Sequence, residues 1–313
     1  MERLTCDRPV PAHLRGSVVA LGNFDGFHRG HQAVVGAAVA HGRATGRPVL
    51  VASFDPHPVR YFRPDSPPFR LTSLDQRAAL FAEAGADAML VFDFNETLAN
   101  VSAADFVTDW LIARTGAAHI VTGQDFTFGK GRSGNVAVLA ELGAAQGLTA
   151  QAIGPVSDAG GPVSSSRIRA ALIEGDPREA ARMLTRPYRI QGLVQHGDKL
   201  GRTIGYPTAN IAMDRYLRPK YGIYAVRGLL PDGRVLNGAA NVGIRPTFDP
   251  PKELLEVHFF DFAESLYDVC IEVELIAYIR PEAKFDSLDA LTAQMDRDCA
   301  EAKRILAAYS PVA

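Results

Sequence analysis

Three cysteines, Cys6, Cys270 and Cys299, are too few, odd in number and too far apart to form a disulfide framework or a CxxC metal half-site. Idle or buried thiols in a reducing cytoplasm fit that usage. An excess of one charge sign is lacking too: 33 basic residues face 35 acidic ones. No strong field therefore argues for nucleic acid or an anionic membrane as the main partner. No apolar run approaches the ~18 residues of a membrane span, and the opening "MERLTCDRPVPAHLRG" has no apolar core of a secretory signal. The lack of a Walker A sequence argues against a P-loop kinase. There is no internal repeat and no low-complexity tract. What is present is ordinary globular composition, 47% apolar and 22% charged over 313 residues, with room for roughly two domains of about 150 residues each.

The chain has two rhythms. "SVVALG" (17–22), "PVLVASF" (48–54), "AMLVFDF" (88–94), "AHIVTG" (118–123) and "LTAQAIG" (148–154) read as five buried strands. Helical stretches alternate with them over 29–42, 73–85, 102–116 and about 134–146, several running from a serine cap to a closing glycine. Strand–helix alternation predicts an α/β doubly wound parallel sheet with ligands beyond the carboxyl ends of its strands. After the helical "SRIRAALIEGDPREAARMLTRP" (166–187) the pattern becomes clustered β-rich runs separated by turn-formers, an antiparallel barrel or sandwich. A last helix spans 287–309. The expected domains are 1–186 and 187–313.

The chemistry-bearing residues stand at the expected strand ends. "GNFDGFHRGH" (22–31) opens the first helix, with His28 and His31 on one face of a turn. Free N–H groups and the positive dipole end there favour anions, and Gly22, Gly26 and Gly30 let a bulky ligand approach the backbone. Two imidazole donors can stabilise charge building on a phosphate in transfer. As residues alone, His28 capping the helix and His31 packing beside it is the plainer reading. A metal pair is weaker, because no third ligand stands at ligand spacing nearby. "FDPHP" (54–58) holds His57 between two prolines, as a rigid pocket wall or a stiffened connection. "GQDFTFGKGRSGN" (123–135) offers Phe126 and Phe128 to a flat ring, with Asp125 and Arg132 as polar ends; otherwise it is a surface loop. "VSSSRIR" (163–169) sets Ser165, Arg167 and Arg169 at a helix start, to bind phosphate or simply to cap.

In this order and at these positions the four blocks resemble the HxGH nucleotidyltransferase superfamily. Within it they resemble the FMN adenylyltransferase half of the bacterial bifunctional riboflavin kinase/FAD synthetases. The resemblance implies that ATP binds over the first strand–helix turn, at Gly22, Asn23, Phe24 and Gly30, and is attacked at the α-phosphorus. His28 and His31 would be catalytic, Ser165, Arg167 and Arg169 would hold phosphates, and His57, Asp125, Phe126 and Phe128 would contact the flavin.

In the second half, "LGRTIGYPTANI" (200–211) combines Gly201 and Gly205, which free a flap, with Pro207, which stiffens the turn into Thr208. The Thr208 hydroxyl and Asn210 carbonyl, two residues apart, lie on one side of a strand as hard oxygen donors suited to Mg²⁺. Taken alone, "PTAN" reads as a turn. The stretch resembles the PTAN motif of riboflavin kinases, and "NGAANVGIRPTF" (237–248), "LEVHFFDF" (255–262) and "RPEAKFDS" (280–287) follow in the family's order. This implies a β-barrel kinase domain with a C-terminal helix, Mg²⁺ entering with ATP on Thr208 and Asn210, and nucleotide held under Gly201. Glu256 would be the base toward the riboflavin 5′-hydroxyl; without the resemblance it is a solvent-facing strand residue. The implied partners are riboflavin, FMN, FAD and ATP, with no tightly bound prosthetic group, nucleic acid or membrane. Two competing readings are a transferase acting on another phosphate compound with a regulatory second domain, and a non-catalytic flavin-binding protein.

Overall fold

The computed structural model describes residues 1–196, 205–245 and 252–310. The chain divides into two compact units, Met1–Ser66 with Leu74–Val163, and Pro67–Ser73 with Ser164–Ala313. The expected boundary at Arg186–Pro187 lies inside the second of these packing units.

The first unit is built on a six-stranded parallel sheet: β1 (Glu2–Thr5), β2 (Val18–Leu21), β3 (Val49–Asp55), β4 (Ala88–Asp93), β5 (His119–Gly123) and β6 (Thr149–Ile153), in the order β1-β4-β3-β2-β5-β6. In β2, Val18 and Ala20 enter one core cluster and Val19 and Leu21 the other. A strand buried on both faces has no polar side to show, hence its uninterrupted apolar run. Strand β1 is the addition to the five expected: it pairs with β4 at the sheet edge, and its charged, mostly exposed "ERLT" carries no apolar signal. Helices α1 (Arg29–Thr45), α2 (Pro58–Phe62) and α3 (Leu74–Glu83) follow β2 and β3. The helix expected over 102–116 is α4, Ala103–Asp105 capped by Ser102 and running into π-helical Phe106–Arg114. Helix α5 (Val136–Ala144) connects β5 to β6, and a small hairpin of β7 (Ser157–Asp158) and β8 (Gly161–Pro162) follows. From β2 the chain lays β3 and β4 on one side, then crosses to β5 and β6 on the other. That reversal opens a crevice at the carboxyl end of β2.

The second unit starts with α6 (Ser165–Glu174) and α7 (Pro177–Leu184) and continues as a closed six-stranded antiparallel barrel. Its strands are β9 (Tyr188–Gln195), β10 (Ala209–Ala212), β11 (Gly222–Leu229), β12 (Val235–Arg245), β13 (Lys252–Phe259) and β14 (Cys270–Arg280), in the order β10-β13-β12-β11-β14-β9. Ile211, Tyr224, Val242, Leu255 and Val257 fill the interior, alternating with outward residues. Helix α8 (Leu288–Ala307) covers part of the outside, where Ala225, Ala239 and Ala277 meet Ala302, Ile305 and Leu306. Small residues on the strands let the helix lie close. Arg280 donates to both carboxylate oxygens of the buried Asp298, at 2.8 and 2.6 Å, and ties helix to barrel.

Candidate active sites

The turn between β2 and α1 lies at the crevice. Phe24 and Phe27 both have positive φ, +50° and +47°, beside Gly26 at +87°. Their rings are buried and meet Phe81 of α3 edge-to-face at 5.8 and 5.2 Å. What Phe24 can offer a ligand is therefore its backbone, not its ring. His28 caps α1: its Nδ1 accepts from the N–H groups of Gly30 (3.1 Å) and His31 (3.4 Å). An accepting Nδ1 leaves the proton of the neutral ring on Nε2, which is then a donor. The His31 ring stacks on His28 at 3.6 Å and stands edge-on to Phe24 at 5.3 Å. Capping and packing thus hold both imidazoles rigid, which is also what a preorganised donor pair requires. A Cβ on Gly30 would stand 3.1 Å from His28 Cε1, so a side chain there would press on the His28 imidazole. The Asn23 carbonyl accepts from Ser53 Oγ at 2.9 Å, and its Oδ1 is buried with no hydrogen-bond partner among the described residues.

Beyond β3, His57 is extended (φ −56°, ψ 135°) and caps α2, its Nδ1 accepting from the Val59 N–H at 3.1 Å. Next to it Tyr61, Phe62 and Phe94 form an edge-to-face group with centroids 5.2–5.8 Å apart, and Phe62 is 64% exposed. Sequence reasoning missed these rings; the signal was an aromatic pair beside "DPHP" and a phenylalanine at the end of β4. In the 123–135 loop, Phe128 is buried against Phe106 at 5.3 Å, while Phe126 is half-buried beside it and Asp125 is exposed. Phe126 is thus the ring of that pair able to face a flat ligand. Phe128 and Gly134 exchange backbone hydrogen bonds at 3.0 and 2.9 Å, so the loop is pinned at its neck. A Cβ on Gly134 would come 2.5 Å from the Phe128 ring, which requires glycine there.

Ser165, Arg167 and Arg169 belong to the second unit. Ser164 caps α6 by accepting from the Arg167 N–H at 3.3 Å. Arg167 lies 3.4 Å from Glu179; Arg169 donates to the Phe69 carbonyl at 2.8 Å, its guanidinium 5.2 Å above that ring.

On the barrel, Gly201 lies outside the described residues. Thr208 is half-buried just before β10 and Asn210 is buried within it. Asn210 pairs across the ladder with Glu256 of β13, and Glu256 pairs with Asn241 of β12. Directly opposed residues share a face, so three polar side chains form one outward row across strands about 4.8 Å apart. Asn241, which sequence reasoning also missed, donates Nδ2 to Glu282 at 3.1 Å and keeps its Oδ1 buried with no partner among the described residues. His258, two residues beyond Glu256, shares a hydrogen bond between Nδ1 and the Pro207 carbonyl at 3.0 Å, steadying the turn before Thr208. Tyr206 donates to Asp296, which pushes its hydroxyl up to about 12 and keeps it a neutral donor. No group of three His, Cys, Asp or Glu residues among those described makes a metal cage. The donors are instead a few neutral oxygens with an orphaned amide oxygen in the same row, a set that fits a hard cation arriving with phosphates.

Residues 10–167 match the FAD synthetase family model and residues 184–306 the riboflavin kinase model. A relative from Escherichia coli K12, named a bifunctional riboflavin kinase/FMN adenylyltransferase, is 38% identical over 296 residues, 95% of each chain. One of the same name from Pseudomonas fluorescens is 41% identical over 298 residues, again 95% of each. The chain belongs to the bifunctional riboflavin kinase/FMN adenylyltransferase family. As a member, it phosphorylates riboflavin to FMN and adenylylates FMN to FAD. The fold recurs in a crystal structure from Streptococcus pneumoniae titled a macrolide-efflux protein, with TM-score 0.86, 31% identity and coverage of 99% of this chain and 100% of that one. Among the described residues no helix is long and apolar enough to cross a membrane. In this chain the synthetase match contains the histidine turn and the 123–135 loop, and the kinase match contains Thr208, Asn210 and Glu256.

Proposed function

We propose that the two reactions use separate residue sets, adenylyl transfer within residues 1–186 and riboflavin phosphorylation within 187–313. The observation that supports this most directly is the pairing of Glu256 with Asn210 beside Thr208, in a different unit from the stacked His28 and His31. In the transferase, the backbone N–H groups opening α1 and the Gly22–Phe24 turn receive the ATP phosphates. His28, donating from Nε2, and His31 stabilise charge on the α-phosphoryl group and on the departing pyrophosphate. The FMN phosphate is itself the nucleophile, so no covalent enzyme intermediate is needed. Ser165, Arg167 and Arg169 serve the phosphates; His57, Asp125 and Phe126, backed by Phe128, serve the flavin.

In the kinase, Glu256 orients the riboflavin 5′-hydroxyl and accepts its proton as the oxygen attacks the γ-phosphorus, the bond from that phosphorus to the β–γ bridging oxygen breaks and ADP leaves. Thr208 and Asn210 would hold a divalent cation, Mg²⁺ in this reading, which when bound neutralises charge on the ATP phosphates. Substrates and products are riboflavin, FMN, FAD and ATP, with no nucleic acid or membrane partner and no permanent prosthetic group. Cytoplasmic residence is supported by the sparse cysteine usage, three in 313 residues at distant positions. The test is incubation of the purified chain with riboflavin and Mg–ATP, then separately with FMN and Mg–ATP, resolving products by chromatography. FMN followed by FAD in the first, and FAD in the second, is expected. FAD from neither, or from riboflavin but not FMN, would overturn the division.

A further inference from the structure

One charged side chain of the first unit is buried outside both proposed residue sets. Arg77, on α3, is 4% exposed, and its Nη1 donates to Ser53 Oγ at 2.7 Å and to the Asn23 carbonyl at 3.3 Å. Ser53 Oγ itself donates to the same Asn23 carbonyl at 2.9 Å, closing a three-way contact between helix, strand β3 and turn. The other guanidinium nitrogen, Nη2, lies 3.7 Å from the Asp55 carboxylate, two residues before His57. One planar fork therefore reaches both the turn that leads from β2 into His28 and the turn that leads from β3 into His57.

The turn that Arg77 grips is strained. Two non-glycine residues with positive φ, Phe24 and Phe27, cost free energy that persists only when surrounding contacts over-determine them. Phe81, one helical turn after Arg77 and on the same face of α3, meets both phenylalanine rings edge-on. Helix α3 thus holds the turn at two points, an apolar one through Phe81 and a polar one through Arg77. A buried guanidinium is costly unless its donors are used, and a neutral residue of similar volume would fill the same space more cheaply. The retained charge is explained if it fixes the height of the Asn23 carbonyl, and with it the backbone that precedes His28.

We propose that Arg77 is a positioning residue for adenylyl transfer, clamping the Asn23 turn and the Asp55 turn into one ligand-receiving surface. The inference rests on assigning adenylyl transfer to the His28–His31 site. It predicts that Arg77→Met, which keeps volume and loses the fork, lowers kcat for FAD formation from FMN about tenfold or more and raises KM for ATP. FMN formation from riboflavin should stay within about twofold of wild type, since Arg77 takes no part there. Arg77→Lys should recover only part of the loss, because an ammonium cannot reproduce the planar fork. A purely structural residue would instead reduce the folded fraction, lowering kcat in proportion and leaving KM for ATP unchanged. That result in Arg77→Met would overturn the proposal. Should Arg77→Met fail to fold, Ser53→Ala decides: it removes two of the three contacts without touching the charge. A raised KM for ATP there supports the clamp, and a wild-type value overturns it. His31→Ala run beside these variants separates the premise from the inference. Untouched FAD synthesis in His31→Ala would remove the site assignment, whereas its loss beside wild-type kinetics in the Arg77 and Ser53 variants would remove only the clamp.

Discussion

Glu256 stands directly opposite Asn210 in the β10–β13 ladder, and directly opposite Asn241 on its other side. A carboxylate flanked by two amides, one of which belongs to the proposed cation-holding pair, is suited to take a proton from an alcohol brought to ATP. Glu256→Gln keeps size and shape but removes the base. FMN formation from riboflavin should fall about 10²–10⁴-fold, the range for a positioned general base, while FMN supplied directly should still become FAD. Two assays on one variant check this. A parallel fall in both reports coupling or global damage, and an unchanged kinase rate makes Glu256 an ordinary strand residue.

His28 holds two roles that can be taken apart. Its Nδ1 caps α1 and its Nε2 is the donor proposed for catalysis. Asparagine is a good cap but has no donor at the Nε2 position. His28→Asn should therefore keep thermal stability near wild type while FAD formation falls about 10²–10³-fold, the cost of losing one preorganised donor. His28→Ala should lose the same activity and, in addition, about 1 kcal/mol of stability with the cap. His31→Ala should resemble His28→Asn in rate. Near-normal FAD synthesis in all three, with stability lowered in the two alanine variants, would leave the histidines as cap and packing alone.

The strands of the first unit were legible because burial on both faces writes itself as an apolar run, and the histidine turn because glycines and a strand end bracket it. Strand β1 was not, since a charged edge strand has no such run. Phe24 and Phe128 stand inside motif stretches, yet their rings turn into the core; irregular turns have no period from which side-chain direction can be read. Arg77 carries no signal of its own in "SLDQRAALFAEAG", because its burial depends on where α3 lands over a distant turn. Asn241 became visible only through register, which joins β10, β13 and β12 across long stretches of chain.

The two activities should separate on cutting the chain, and where the cut falls should matter. Helix α7 buries Ala180, Ala181, Met183 and Leu184 and packs on β9 and β14. A fragment starting at Pro187 leaves the barrel without that cover. Burying a side chain such as Met183 or Leu184 is worth about 1.5–3 kcal/mol. Both a 164–313 and a 187–313 fragment should convert riboflavin to FMN and make no FAD, and the longer should unfold at clearly higher temperature. Equal melting temperatures would mean that α7 contributes nothing to the barrel. A folded fragment unable to phosphorylate riboflavin would count against the kinase assignment.

His119 should give the first unit a pH-dependent stability away from the His28–His31 turn. It begins β5, at the amino end of the strands, is 7% exposed, and has Nδ1 within 2.6 Å of Thr149 Oγ1. Its ring lies flat on that of His41 at 3.9 Å, with planes only 4° apart. Burial first, and the neighbouring His41 second, lower its pKa below the ordinary 6.5. The unfolded chain therefore binds this proton more readily than the folded one between the two values. Stability contributed by neutral His119 is fully present above 6.5, declines as pH falls below it, and stops declining once pH passes the folded value. His119→Asn removes the titrating group while keeping a polar partner for Thr149. Melting temperature measured from about pH 7.5 to about 5.5 should drop in the parent and drop less in the variant, with the curves converging at the acid end. His41→Gln should give an intermediate slope, because it relieves the second cause but leaves the burial. Parallel curves for parent and His119→Asn would show that the unit loses its acid stability through other groups.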